Sequence, residues 1–344
     1  MHSLGADGYN TASVDGVMNQ AVPLLRISGL QMEFVSSTSL LSRLVRRRNE
    51  TLVAIDGVDL DVFAGEALGI VGESGSGKST LARCIAGLYE PTAGTLVYAG
   101  KVLPRRRPAS LRRRIQIVFQ DPYASLNPRM TVEQTVKEIL GVHNVVPRQR
   151  REARFRELMD LVRLGPELAS AYPRQLSGGQ RQRVSIARAL ALEPELLIAD
   201  EPVSALDVSV QASILNLLAD LRQQLGLTLV FIAHDLSVVH HLCGRVAVMY
   251  LGRVVEVAEV GALFDDPRHP YTQGLLRSIP SLVHGEQSSE VGVAGDPPSP
   301  FAIPSGCRFR SRCPIAQPLC MEEDPALEVV DGHAAACHFA WTVR

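Results

Sequence analysis

The chain has 344 residues, of which 46% are hydrophobic and 21% are charged. This composition is typical of globular proteins and excludes a wholly disordered, collagen-like or coiled-coil protein. The formal net charge of −1 excludes a polycation that holds nucleic acid through its overall charge. At about 100–200 residues per domain, the length predicts roughly two domains.

Two features of the sequence bear on location. No run of about 18 consecutive apolar residues occurs, so we expect no membrane-spanning helix. Residues 1–20 are polar and lack the basic start and apolar block of a secretory signal. We therefore expect a disordered N-terminal tail on a cytosolic protein.

Short apolar strands alternate with amphipathic helices from residue 21 onward. The predicted strands cover residues 21–34, 53–62, 67–71, 196–199, 227–233 and 245–250. The predicted helices cover residues 79–88, 131–141, 149–164 and 208–225, and a further helix follows Ser177. On the helix over 149–164, one face carries Phe155, Leu158, Leu161 and Val162. Apolar strands that alternate with helices predict an α/β fold with a parallel sheet covered on both faces.

The composition and the hydrophobic periodicity of the sequence change after about residue 262. Proline becomes frequent, helical periodicity fades, and four of the six cysteines lie within the last 38 residues. We therefore expect an α/β domain over residues 21–262 and a small, irregular C-terminal domain over residues 263–344.

A glycine-rich segment follows the predicted strand at 67–71 and matches G-x-x-x-x-G-K-[ST]. With the residue after it, the segment comprises Gly72, Glu73, Ser74, Gly75, Ser76, Gly77, Lys78, Ser79 and Thr80. Glycines allow successive backbone N–H groups to surround an anion, and the next helix adds its positive N-terminal end. Lys78 would reach the β- and γ-phosphates of a nucleotide, and the Ser79 hydroxyl would bind Mg²⁺.

Two carboxylates follow the predicted strand at 196–199. Asp200 at the strand end can hold Mg²⁺, and Glu201 points in a different direction because side chains alternate along a strand. Glu201 can accept a proton from an attacking water. This pair predicts a hydrolytic site beside the glycine-rich segment, which we call the phosphate loop (residues 72–80).

Further motifs resemble the ABC-transporter ATPases, in that family's order. Residues 176–180 read LSGGQ, the family's signature sequence; Gln120 resembles its Q-loop, residues 204–207 its D-loop and His234 its switch histidine. The resemblance implies a P-loop NTPase fold with a RecA-like, mainly parallel sheet, an antiparallel β subdomain and a helical insertion at about 123–175.

The resemblance also implies a dimer that holds two ATP molecules between its subunits. Nucleotide contacts beyond the phosphate loop are then expected from Gln120, Asp200, Ser177, Gly178, Gly179, Gln180, Asp207 and His234. Mg²⁺ is expected at Ser79, Gln120 and Asp200. Glu201, Gln120 and His234 are the implied catalytic residues, with His234 as a γ-phosphate contact.

One expected feature of the family is missing. The segment just before Val53 has no aromatic residue to stack on adenine, only Arg46–Arg48 and Glu50. An arginine, a partner group or Phe34 are the alternatives.

Four segments resemble the ATP-binding subunits of oligopeptide and dipeptide importers, specifically the F-type subunit. They are ASLNPRMTV (124–132), PVSALDVSVQA (202–212), HPYTQGLL (269–276) and GCRFRSRCP (306–314). This resemblance implies a D-type ATPase paralogue, two membrane permeases and, indirectly, an extracellular solute-binding protein as partners. The subunit would lie peripherally on the cytoplasmic face of a bacterial membrane. Import of nickel or an oligosaccharide by the same fold is an alternative.

The C-terminal cysteines have the spacing C-x5-C-x6-C-x16-C, which is not that of a common zinc ribbon. Four thiolates in a weakly hydrophobic segment indicate a metal that orders the segment. The resemblance favours a [4Fe–4S] cluster held by Cys307, Cys313, Cys320 and Cys337. Zinc, with His333 or His338 replacing one cysteine, and free or paired thiols are the alternatives.

Basic stretches at 46–48, 105–107, 112–114 and 147–156 are the only features typical of nucleic-acid binding. No aromatic residues alternate with them to form a stacking platform. We therefore expect no nucleic-acid partner, and a soluble ABC ATPase acting on nucleic acid is the less favoured alternative.

Overall fold

The computed structural model describes residues 22–35, 51–279, 293 and 295–342. The strands are β1 Leu25–Val35, β2 Thr51–Val62, β3 Ala67–Val71, β4 Ala93–Tyr98, β5 Lys101–Val102, β6 Ile115–Val118, β7 Leu196–Asp200, β8 Thr228–Ala233, β9 Arg245–Tyr250, β10 Arg253–Glu259, β11 Glu328–Val330 and β12 His333–Ala335. The α-helices are α1 Lys78–Ala86, α2 Ala109–Arg114, α3 Pro122–Ser125, α4 Val132–Val142, α5 Arg151–Leu161, α6 Gly178–Leu190, α7 Val208–Leu225, α8 Leu236–Leu242, α9 Val260–Asp265, α10 Pro270–Arg277 and α11 Leu319–Glu322. Short 3₁₀ turns cover Arg148–Arg150, Pro166–Ser170 and Pro173–Gln175.

The large sheet has eight strands in the order β11-β12-β10-β9-β3-β8-β7-β6. Its central part, β6 to β9, is parallel, as the alternation of apolar strands and helices predicts. Strands β3, β7 and β8 are buried along their whole length because helices or sheet cover both faces. The predicted parallel sheet is therefore confirmed at the centre.

A second sheet, with the order β2-β1-β4-β5, is antiparallel and covers one face of the large sheet together with α1. Leu68 and Ile70 of β3 pack on this side, against residues such as Ile27 of β1 and Ile85 of α1. Val71 packs on the opposite side, in the core that includes α6 and α7. The alternating side chains of one strand thus join two hydrophobic cores.

Helices α3 to α5 and three 3₁₀ turns lie between β6 and α6. Of the predicted apolar face on α5, Phe155 and Leu158 are buried, Val162 directly after the helix is buried, and Leu161 is partly buried. Thr131 begins α4 with a capping box in which its side chain accepts from the Gln134 N–H. In α7, Ile214, Leu218 and Leu221 are buried, whereas Leu225 at the helix end is 44% exposed.

The C-terminal segment is joined to the rest of the fold. Strand β12 pairs antiparallel with β10, with Glu256 opposite Ala335, and β11 pairs with β12. Tyr271 of α10 and Phe309 belong to the same core as α6 and α7. The described parts of the chain after residue 263 therefore extend the large sheet and its core. Among the described residues, no helix is long and apolar enough to cross a membrane.

Candidate functional site

The glycine-rich segment forms a tight loop between β3 and α1. Gly72, Gly75 and Gly77 have φ angles of 150°, 80° and 104°. A Cβ at Gly72 would lie 2.1 Å from the Met249 carbonyl oxygen, and one at Gly77 would lie 2.4 Å from that of Ala54. Both glycines are therefore required by close backbone contacts as well as by backbone conformation.

Lys78 is buried at the start of α1, with 4% exposure. Its ammonium donates to the carbonyl oxygens of Gly72 (2.7 Å) and Glu73 (2.8 Å). Burial lowers the pKa of Lys78, while the nearby carboxylates of Glu201 and Asp200 act in the opposite direction. The charge thus lies inside the loop, where an anion would find a desolvated donor.

Asp200 ends β7 and is 1% exposed. Its Oδ1 accepts a hydrogen bond from the Ser79 Oγ at 2.8 Å. Burial raises the pKa of Asp200, and the Ser79 hydrogen bond opposes this shift. A carboxylate and a hydroxyl that meet at the phosphate loop are the hard oxygen ligands that Mg²⁺ prefers.

Glu201 follows Asp200 in the left-handed region, with φ 46°. Its carboxylate Oε2 accepts from the Gln120 Nε2 at 2.8 Å and lies 3.9 Å from the His234 Nδ1. The side-chain amide of Gln120 also reaches the Ser204 Oγ at 3.3 Å. The structure thus brings together three residues that the sequence predicts separately. Left-handed backbone in a non-glycine residue is strained and is typical of functional sites.

The signature segment lies at the N-terminus of α6. Ser177 caps this helix by accepting from the Gln180 N–H, and the Gln180 side chain accepts from the Ser177 N–H. Gly178 packs against Leu206, and Gly179 packs against Val210 of α7. A Cβ added at Gly178 would lie 3.0 Å from the Leu206 Cδ2, and one added at Gly179 would lie 2.5 Å from the Val210 Cγ1. Asp207 is the N-cap residue of α7. Within the described residues, no hydrogen bond joins residues 177–180 to residues 72–80.

The sequence analysis missed two contacts to the phosphate loop. Tyr271 accepts a hydrogen bond from the backbone N–H of Glu73, and Arg312 forms an ion pair with the Glu73 carboxylate. Both residues lie in segments that the sequence analysis used only for resemblance, HPYTQGLL and GCRFRSRCP. A glutamate inside a phosphate-binding loop was the available signal, since it calls for a neutralising partner.

The four C-terminal cysteines are free thiols. Burial raises the pKa of Cys307 to about 11, and the pKa values of Cys313 and Cys337 are raised by the same cause. The charge of Cys320 adds to each of these three shifts. Backbone hydrogen bonds two residues after each of these three cysteines, at Phe309, Ile315 and Phe339, oppose the shifts.

Among the described residues, no group of three or more His, Cys, Asp or Glu side chains is arranged to hold a metal ion. Phe34, one predicted alternative for adenine stacking, has its ring against that of Tyr89, with centroids 5.5 Å apart. The other local alternatives, Arg46–Arg48, lie outside the described residues.

Two family profiles match the chain. The profile described as ABC transporter matches residues 55–204, and the one described as oligopeptide/dipeptide transporter, C-terminal region, matches residues 255–320. The oligopeptide transport ATP-binding protein AppF of Bacillus subtilis (strain 168) is 47% identical over 304 residues, which cover 86% of this chain and 92% of AppF.

Solved structures support the same fold. The cbiO1 protein of Clostridium perfringens, part of the ABC transporter complex cbiONQ, has a TM-score of 0.61 at 30% identity, covering 71% of this chain and 91% of cbiO1. The dimeric post-hydrolysis structure of the ATP-binding cassette MJ0796 with ADP and Pi has a TM-score of 0.59 at 29% identity. That match covers 69% of this chain and 98% of the cassette.

Two glycines of the loop provide a matched pair of variants. Gly75→Ala should lower the free energy of unfolding by about 1–2 kcal/mol, because only the left-handed backbone disfavours alanine there. Gly77→Ala should lower it by about 3–5 kcal/mol, because the Cβ also collides with the Ala54 carbonyl. Urea unfolding of both variants measures the difference; equal losses would contradict the close contact.

Proposed function

Because this chain belongs to the ABC-transporter ATP-binding proteins of the oligopeptide/dipeptide transport family, we propose that it binds and hydrolyses ATP to power peptide import across the cytoplasmic membrane. The proposal rests on one observation: five polar side chains lie together at one edge of the large sheet. They are Lys78, Ser79, Gln120, Asp200 and Glu201. This set holds the donors for a triphosphate, the oxygen ligands for a divalent cation and a carboxylate base.

Nucleotide binding is assigned to the phosphate loop. In this proposal the triphosphate is held by backbone N–H groups of residues 72–80 and by Lys78, whose ammonium turns from loop carbonyls to phosphate oxygens. Ser79, Asp200 and Gln120 are the proposed Mg²⁺ ligands. The bound ion would neutralise charge that develops on the phosphate oxygens.

Hydrolysis is assigned to Glu201, Gln120 and His234. Glu201 takes the proton of the attacking water, and Gln120, already hydrogen bonded to Glu201, orients that water. His234 lies close to the same carboxylate and is assigned a γ-phosphate contact. Its side chain is 60% exposed, so a second subunit could still cover it.

The proposed working unit is a dimer with two ATP molecules between its subunits. Ser177, Gly178, Gly179, Gln180 and Asp207 would contact the nucleotide held by the other subunit's phosphate loop. In the described part of the chain these residues are not hydrogen bonded to the phosphate loop, and the MJ0796 cassette was solved as a dimer. We infer a D-type paralogue as the second subunit.

Two membrane permeases are the further partners that we propose. A groove of about 330 Å³ opens between the large sheet and the helical insertion. Its lining residues include Gln116, Phe119, Ser125, His143 and Arg188. Phe119 directly precedes Gln120, so a permease segment in this groove would act on the residue that holds Glu201.

Peptides are the proposed cargo because AppF is named for oligopeptide transport. Nickel or an oligosaccharide is the alternative cargo of the same fold. The protein would lie peripherally on the cytoplasmic face of a bacterial membrane and act indirectly with an extracellular solute-binding protein.

Glu201→Gln should bind MgATP with unchanged affinity but hydrolyse it about 10²–10⁴-fold more slowly, because the base is lost while the side-chain shape is kept. Steady-state phosphate release and a nucleotide titration measure the two effects. Glu259→Gln, an exposed glutamate at the end of β10, is the control. Turnover by Glu201→Gln close to that of the wild type would show that another group is the base.

Phe119→Ala should reduce peptide uptake while nucleotide binding by the isolated chain persists, because the groove loses its aromatic contact but the phosphate loop remains. Uptake of a labelled tripeptide by cells that carry the variant measures the effect. Val102→Ala, an exposed apolar residue on the other sheet, is the control. Wild-type cells that take up labelled nickel but no peptide would contradict the proposed cargo.

We further propose that Cys307, Cys313, Cys320 and Cys337 hold a [4Fe–4S] cluster in a C-terminal domain over residues 263–344, beside an ATP-binding domain over residues 21–262. Support comes from four free thiols, from the effect of the Cys320 charge on the pKa values of the other three, and from the backbone hydrogen bonds at those three. The sequence resemblance to peptide-importer ATPases, rather than the arrangement of the side chains, favours a cluster over a single zinc ion.

Protein purified without oxygen should contain about four irons per chain and absorb broadly in the visible, as thiolate-ligated clusters do. Cys313→Ser should lose both iron and colour, whereas Cys243→Ala, at a buried cysteine outside the proposed ligand set, should keep them. Elemental analysis and visible absorption measure this. Colourless anaerobic protein with one zinc, or with no metal, would contradict the cluster.

A further inference from the structure

Glu73, the second residue of the phosphate loop, is held at all three of its polar groups. Its backbone N–H donates to the Tyr271 hydroxyl at 2.8 Å, and its carbonyl accepts from the Lys78 ammonium at 2.8 Å. Its carboxylate accepts two hydrogen bonds from the Arg312 guanidinium, each 2.8 Å long. We call the contacts of Tyr271 and Arg312 with Glu73 the C-terminal clamp.

The Arg312 half of the C-terminal clamp is rigid. The Arg312 side chain is only 4% exposed, and its guanidinium lies over the Tyr250 ring, 5.8 Å from the centroid. Two parallel hydrogen bonds between a planar guanidinium and a carboxylate fix both groups in orientation. The Glu73 carboxylate is therefore fixed in orientation. Its charge is neutralised by the Arg312 guanidinium, which is buried from solvent.

The Tyr271 half is equally fixed. Tyr271 is fully buried, and its ring lies 4.7 Å from that of Tyr250 and 5.5 Å from that of Phe309, between centroids. Its backbone N–H donates to the His269 Nδ1 at 3.0 Å, which caps α10. Burial lowers the pKa of His269 to about 4, so this nitrogen remains an acceptor.

A buried carboxylate anchors α10 to the sheet. Glu256 of β10 is fully buried and accepts hydrogen bonds from the N–H groups of Arg268 (2.6 Å) and His269 (3.0 Å) and from the His333 ring (2.7 Å). The Tyr271 hydroxyl is thus positioned by β10 and β12 together, and its place at the phosphate loop is set by the C-terminal segment.

The Glu73 carboxylate places a negative charge inside a loop whose other groups attract anions. Residues 72–80 present N–H groups and Lys78 to an anion, yet Glu73 adds a negative charge within the same loop. A carboxylate beside a triphosphate repels it, most strongly where water is excluded. Arg312 removes that repulsion and at the same time turns the carboxylate toward the C-terminal segment.

We propose that Arg312 and Tyr271 are positioning residues of the ATP site, which neutralise and orient Glu73 so that nucleotide affinity depends on the C-terminal segment. The proposal rests on the proposed binding of ATP by the phosphate loop. Because Arg312 directly precedes Cys313, loss of order at the cysteines releases Glu73 and weakens nucleotide binding.

The test is a double-mutant cycle in the full chain, with MgATP affinity measured by competition against a fluorescent ATP analogue. Arg312→Gln should weaken binding about ten- to a hundredfold, as expected for a lost charged hydrogen-bond pair. Glu73→Gln should weaken binding less than Arg312→Gln, by about threefold at most, because its amide oxygen keeps one of the two hydrogen bonds from Arg312 and the repulsive charge is gone. The double variant should recover to about that level, because the repulsive charge is gone.

Two further variants complete the design. Asp324→Asn removes an ion pair with Arg253 that attaches the same C-terminal segment without touching the loop, and it should leave affinity unchanged. Tyr271→Phe keeps the buried ring but removes the acceptor of the Glu73 N–H, and it should weaken binding even if Arg312→Gln fails to fold.

The outcomes separate the clamp from the assignment of the phosphate loop. If Lys78→Ala binds ATP as tightly as the wild type, the phosphate loop is not the nucleotide-binding site, and the proposed role of the C-terminal clamp is wrong as well. If Lys78→Ala loses binding while folded Arg312→Gln and Tyr271→Phe keep it, the clamp alone is overturned. A double variant that stays as weak as Arg312→Gln would also overturn it, because Arg312 would then serve only to attach the segment.

Discussion

The site depends on the register of four parallel strands. Val71 of β3 lies opposite Ala233 of β8, Asp200 of β7 lies opposite Ile232, and Val118 of β6 lies opposite Ala199. The carboxyl ends of these strands therefore reach the same edge of the sheet at the same level. The phosphate loop, the acidic pair, Gln120 and His234 all follow these strand ends. One pattern of backbone pairing therefore brings residues as far apart as Ser79 and Asp200, 121 positions, into contact.

Burial gives the assembled residues their chemistry. Lys78 and Asp200 are charged groups with almost no exposure, and burial shifts the pKa of each toward its neutral form. Each is held by specific hydrogen bonds, to loop carbonyls in one case and to Ser79 in the other. Ligand-binding groups that are already desolvated and oriented lose less free energy to reorganisation when a nucleotide arrives. The strained backbone at Glu201 belongs to the same preorganised arrangement.

The C-terminal segment contributes to this region from outside the nucleotide motifs. It adds two strands to the large sheet, and its aromatic residues pack against Tyr250 of β9. Arg308 lies buried between the Asp56 carboxylate and the Leu251 carbonyl, which ties the segment to β2 and to the turn after β9. A segment attached at this many buried polar points cannot detach without leaving charges unpaired, which is costly. This attachment makes the C-terminal clamp on Glu73 a fixed part of the loop.

The sequence alone predicted the central strands, the longer helices and the nucleotide motifs. Apolar periodicity located β3, β7, β8, α5 and α7, and the phosphate loop was evident because Gly77-Lys78-Ser79 follows a buried strand. These signals are local, since strand burial, helix periodicity and tight turns depend on neighbouring residues. Only the tertiary structure decided that Gln120 reaches Glu201, that Phe34 packs on Tyr89, and that Arg312 neutralises Glu73 across 239 positions. Such contacts join residues far apart in the chain, and no local pattern encodes which strand or tail will lie beside which loop.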